Sequence, residues 1–173
     1  MPERVLKAMD RQVIDHRGPE FGRLGREVLE GCRAIFQTEG PVVIFPGSGT
    51  GAWEATIVNT LAPGDRVPMF ETGHSATLRR KMAARWGITV EFVPGDWRHG
   101  ADPAIVVAKL AEDRAHAIKA VMVGHNETST GVTSRIAQVR HTIDAAHHPA
   151  LLLVDSISGL GSADLRHDER AST

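Results

Sequence analysis

Leu151-Leu152-Leu153-Val154-Asp155-Ser156-Ile157-Ser158-Gly159-Leu160-Gly161 is an apolar run closed by a carboxylate and followed by a loop of small residues. A continuous apolar run bounded by turn residues suits a strand buried on both faces, as in a parallel sheet. The acid at its end is the informative residue. A carboxylate at the mouth of an apolar strand is costly unless a cation pairs with it or it caps a following helix.

The same unit recurs upstream. Val42-Val43-Ile44-Phe45, Val67 to Phe70, Ile88 to Val93 and Ala120 to Val123 read as strands. Between them, helices are expected from Ala52 to Leu61, His74 to Trp86 and Pro103 to His116. Ile136, Val139 and Ile143 lie on one face of a further helix, and a first helix starts at Glu20 with Phe21, Leu24, Val28, Leu29 and Ile35 near helical spacing. Strand and helix alternating with short links predict a three-layer α/β/α arrangement around a mostly parallel sheet. After Gly161 the chain turns polar and aperiodic, so residues 1–161 are expected to form the domain and 162–173 a frayed tail.

The chain has 173 residues, enough for one domain with a core and too few for two ordinary ones. Hydrophobic residues are 42% and the net charge is −1, a balance that gives no reason to expect nucleic acid or an anionic membrane as partner. The single cysteine, Cys32, excludes an internal disulfide framework and fits a reducing compartment. No apolar run approaches the ~18 residues of a membrane span, and Met1-Pro2-Glu3-Arg4 lacks the apolar core of a signal peptide. A cytoplasmic location is expected. His141, His147 and His148 cluster, but at a helix end, where imidazoles suit the dipole and the solvent; no metal site is expected.

Two further loops carry chemistry. Phe45-Pro46-Gly47-Ser48-Gly49-Thr50-Gly51-Ala52-Trp53 runs into a helix, and free amides at a helix N-terminus make an anion site. The same residues satisfy a loose Gly47-x-Gly49-x-x-Ala52 dinucleotide fingerprint, with Glu71 ending the next strand, and a tight structural turn is a third reading. His125-Asn126-Glu127-Thr128-Ser129-Thr130-Gly131 follows a strand, and its hydroxyls and amides could hold a ligand or cap the next helix.

Taken in order, these three loops, with His16-Arg17-Gly18-Pro19-Glu20-Phe21 near the start, resemble the class V aminotransferases of the serine–glyoxylate and alanine–glyoxylate group. The resemblance covers about Pro2 to His167. It implies the large domain of the fold-type-I pyridoxal-phosphate transferases, incomplete at its C-terminal end, with pyridoxal 5′-phosphate as cofactor. Ser48, Gly49 and Thr50 would then hold the phosphate, and Thr128 the ring hydroxyl. Asp155 would pair with the pyridine nitrogen, Ile157 would pack on one ring face, and Ser75 stands where an aromatic residue usually covers the other. Arg79 stands where close relatives carry a tryptophan.

The resemblance also implies amino-acid and 2-oxo-acid substrates and a homodimer for the full-length form, with transfer of an amino group from serine or alanine to glyoxylate. The family's Schiff-base lysine lies beyond the strand-end aspartate, and Lys7, Lys81, Lys109 and Lys119 all fall away from the three loops. These residues alone are therefore expected to be a truncated, inactive cradle. The rivals are a non-catalytic fragment or pseudoenzyme that binds a partner, and a nicotinamide-dependent oxidoreductase. Strand Val42 to Phe45 is expected to lack its sheet neighbour and leave backbone groups unpaired, which favours aggregation.

Overall fold

Val67, Met69, Ala120 and Met122 project to one side of a sheet, and Phe70, Val121 and Val123 to the other, so each side needs its own cover. In the computed structural model, which describes residues 1–168, helices supply it. The elements are α1 (Glu3–Met9), α2 (Pro19–Phe36), α3 (Gly49–Thr60), β1 (Arg66–Phe70), α4 (His74–Arg85), β2 (Thr89–Val93), α5 (Pro103–Glu112), β3 (Ala120–Gly124), α6 (Ile136–Ala145) and β4 (Leu151–Asp155). Trp53 and Ile57 of α3 and Ala83 of α4 pack on the first side. Val106 and Leu110 of α5 and Val139 and Ile143 of α6 pack on the second. The result is the expected three-layer α/β/α arrangement.

All four strands are parallel, in the order β2-β1-β3-β4. Phe70 pairs with Val93 and Gly124 with Asp155, so the strands end along one edge of the sheet. The loops leaving β1, β3 and β4 emerge there, the edge where open α/β sheets bind ligands.

The expected strand Val42 to Phe45 is absent. Those residues carry no ladder, and Val43, Ile44 and Phe45 are exposed. No described strand lies beside them, so their amides find no sheet partner, and Val42 to Ile44 instead line an open apolar hollow shared with Phe21, Leu24 and Val28 of α2. Helix α2 forms as its periodicity predicts but has no fully buried residue.

Helix α5 stops at Glu112, four residues short of the expected end. The Asp113 carboxylate accepts the amides of Ala117 (3.1 Å) and Ile118 (2.5 Å), closing a turn. His148 is no solvated helix-end imidazole either: it is buried, edge-on to His116, with Nε2 3.4 Å from Asp113.

Of the expected tail, residues 169–173 lie outside the described residues. Within 162–168, Leu165 is buried, and Asp168 accepts from Thr38 Oγ1 (2.5 Å) and the Glu39 amide (2.7 Å). No helix among the described residues is long and apolar enough to cross a membrane.

Candidate functional site

A cavity of about 220 Å³ opens where the N-terminus of α3, the first turns of α4 and the loop after β4 meet. Gly49, Thr50 and Trp53 form its α3 wall. Ser75, Leu78, Arg79 and Met82 form the α4 wall, and Asp155 and Ile157 close the third side. Larger hollows exist, along β4 and between residues 97–102 and 130–135, but neither joins the glycine loop to the loop after β4.

The loops after β3 and β4 hold one another. Asn126 Nδ2 donates to Ser158 Oγ (3.0 Å), and that hydroxyl donates back to the Asn126 carbonyl (2.9 Å). The β3 loop also caps a helix, but α4 rather than the helix that follows it. Glu127, fully buried, accepts the amides of Ser75 (3.2 Å) and Ala76 (3.1 Å) at the start of α4. It further accepts the Ser129 amide (3.1 Å) and hydroxyl (2.8 Å). Burial alone would raise its pKa; these donors outweigh it and hold the carboxyl down at about 2.

Asp155 already has a cation. Arg79 Nη1 donates to Asp155 Oδ2 at 2.5 Å, and Arg79 Nη2 lies 3.8 Å from Glu127 Oε2. The arginine side chain is 10% exposed and the aspartate's 16%. The guanidinium passes close to the end of β3: a Cβ on Gly124 would sit 2.7 Å from Arg79 Nη2, and the arginine would have to shift to admit it. The other Asp155 oxygen accepts the Ile157 amide (3.0 Å), which bends the loop back over the cavity.

Five of the seven expected site residues, Gly49, Thr50, Ser75, Asp155 and Ile157, line this one cavity. Gly49 and Ile157 face each other closely enough that a Cβ on the glycine would meet Ile157 Cγ1 at 3.2 Å. Ser48 is the exposed N-cap of α3, and its side chain makes no capping bond, which leaves its hydroxyl available. Thr128 is exposed in the β3 loop and is not part of the cavity wall. Three participants were not expected: Arg79 as an ion-pair partner, Glu127 as a helix cap, and Trp53, whose buried Nε1 has no hydrogen-bond partner.

The model of the family described as aminotransferase class-V matches residues 3–169. The chain belongs to the class-V aminotransferases. It is 45% identical over 170 residues to the L-aspartate–glyoxylate aminotransferase of Paracoccus denitrificans, covering 98% of this chain and 43% of that one. It is 46% identical to the serine–glyoxylate aminotransferase of Methylorubrum extorquens, with 98% and 42% covered. The solved alanine–glyoxylate aminotransferase of Nostoc sp. superposes with a TM-score of 0.87 at 30% identity, over 96% of this chain and 43% of that one. The chain thus spans less than half the length of the curated relatives it matches. Family membership sets aside the dinucleotide reading of the glycine loop. Glu71, its candidate ribose acid, accepts instead from Trp97 Nε1 at 3.2 Å.

Membership of the family implies pyridoxal 5′-phosphate as the cofactor, and the cavity matches that molecule at one end only. At the phosphate end the first-turn amides of α3 and the uncommitted Ser48 hydroxyl are available donors, and Trp53, whose buried Nε1 has no partner, belongs to the same wall. At the ring-nitrogen end the charge of Asp155 is already neutralised by Arg79. The residues present do not fit a protonated pyridine ring.

Proposed function

We propose that these residues are the cofactor-facing part of a glyoxylate aminotransferase, built to hold a phosphorylated ring and not by themselves catalytic. The observation that carries the reading is the convergence of the glycine loop, the start of α4 and the loop after β4 on one cavity, with the β3 loop bracing the last two from behind, in a chain of class-V aminotransferase ancestry. Ser48, Gly49 and Thr50 would hold the phosphate, Ser75 and Ile157 would flank the ring, and Thr128 would reach it from the β3 loop. Amino-group chemistry on such a cofactor also requires a lysine to carry it and move a proton.

None of the four lysines lines the cavity. Lys109 is paired with Glu91 at 2.9 Å, Lys119 bonds the His116 carbonyl at 2.9 Å, and Lys7 is paired with Glu3 at 2.8 Å on α1. Lys81 is exposed on α4.

For a full-length form, the proposed reaction is amino transfer from serine or alanine to glyoxylate, in a cytoplasmic homodimer. Glyoxylate is named in all three relatives above, whereas the donor differs among aspartate, serine and alanine; the acceptor is therefore the firmer half of the proposal.

Titration with pyridoxal phosphate followed by borohydride tests it. Saturable, phosphate-competed binding without covalent trapping is the expected outcome. Trapping on one of the four lysines would overturn the non-catalytic reading, and saturable NAD binding without any binding of the phosphate ester would overturn the whole.

A further inference from the structure

Three observations at the cavity remain unaccounted for by the family reading. Arg79 is 8% exposed and directed at the acid meant for a ring cation. Glu127, the other acid within its reach, has both oxygens engaged by the first turn of α4 and by Ser129. Trp53, 6% exposed, lines the opposite wall from α3 and has a buried Nε1 without a hydrogen-bond partner.

We infer that Arg79 acts as a built-in substitute for the ring cation, so that this cavity takes phosphate monoesters without selecting for a basic ring nitrogen. The inference rests on the phosphate cradle proposed above and concerns the other end of the same site.

The physical case is a competition for one carboxylate. A pyridinium would gain a charge-assisted hydrogen bond from Asp155 only by displacing a guanidinium that is already bonded and nearly buried. Displacement would leave Arg79 with only the 3.8 Å ion pair to Glu127, whose oxygens already accept from Ser75, Ala76 and Ser129, and stripping a buried guanidinium of its one hydrogen-bonded carboxylate is costly. The guanidinium also lies close against the end of β3, where a Cβ on Gly124 would stand 2.7 Å from Arg79 Nη2. A ligand therefore meets a neutral ion pair at the ring end and N–H donors at the phosphate end. Affinity comes from the phosphate, and the ring contributes shape but no charge recognition.

The test uses pyridoxine 5′-phosphate, which has the ring nitrogen but no aldehyde to react with surface lysines, and benzyl phosphate, which has neither. Isothermal titration of the 173-residue chain should give affinities for the two within about threefold of each other. In Arg79→Met, which frees Asp155, pyridoxine phosphate should bind about tenfold tighter or better, the worth of one charge-assisted hydrogen bond, while benzyl phosphate changes little. The ultraviolet spectrum of the bound ring should shift to the protonated form in the variant only.

If the unsubstituted chain prefers pyridoxine phosphate tenfold or more, the inference is overturned, and this holds even if the variant fails to fold. Unchanged pyridoxine phosphate affinity in a folded Arg79→Met overturns it equally. Failure of both esters to bind the unsubstituted chain would instead refute the phosphate cradle, and the inference with it.

Discussion

Replacing Glu127 by glutamine separates the charge of this buried cap from its shape. Glu127 is fully buried and receives three backbone amides and one hydroxyl. Its carboxyl is held at about 2, against an ordinary 4.5. A drop of that size corresponds to about 3 kcal/mol of stabilisation by the ionised form, at ~1.4 kcal/mol per unit. The folded value lies below the unfolded one, so this stability is fully present above the unfolded value and is lost as pH falls toward 2. Glutamine is close in shape to the protonated acid and turns an NH2 group toward amide donors. Glu127→Gln should therefore lose about 3 kcal/mol at pH 7, measured by urea unfolding, with the deficit shrinking between pH 4.5 and 2. Amide exchange offers a local readout at the same site: Ser75, Ala76 and Ser129 should lose protection before the β3 core does. A deficit below about 0.5 kcal/mol at pH 7, or one that does not diminish in acid, would refute the assignment of Glu127 as an ionised cap.

Ile143 is fully buried between α6 and the sheet, and Ile143→Ala should cost about 2–5 kcal/mol by urea titration without altering binding of phosphate esters. Asp113 is buried, which by itself would raise its pKa, yet the Ile118 and Ala117 amides, with Arg66 and His148, keep it below the usual range. Its contribution is therefore present above the ordinary carboxylate value and lost in acid, so Asp113→Asn should destabilise at pH 7 and leave the acid limb of the stability profile shallower. Val43 and Ile44 are 83% and 59% exposed and pair with no described strand. Val43→Lys with Ile44→Lys should lower self-association in sedimentation velocity and leave the thermal transition of the α/β core in place; unchanged aggregation would place the sticky surface elsewhere.

The layered fold could be read from the sequence because burial on both faces leaves a local mark: Ala120 to Val123 and Leu151 to Val154 are apolar without alternation, and turn residues bound them. Val42 to Phe45 bears the same mark and is no strand, since an apolar run declares a wish for burial but not the presence of a neighbour to pair with. The site divides along a similar line. Gly49, Thr50 and Asp155 were legible because each sits beside the element that orients it, a helix start or a strand end. Glu127 was not, since the helix it caps lies about fifty residues upstream and nothing local links a loop acid to it. Arg79 is the instructive intermediate. The buried positions of α4 are Ala76, Arg79 and Ala83, spaced as one helical stripe, so periodicity alone places a guanidinium on the inward face among small residues. A buried arginine demands an anion, and Asp155 was independently identified as a strand-end acid demanding a cation. Joining the two needs no family pattern, and it makes opposite predictions from the family pattern about which ligands the cavity will prefer.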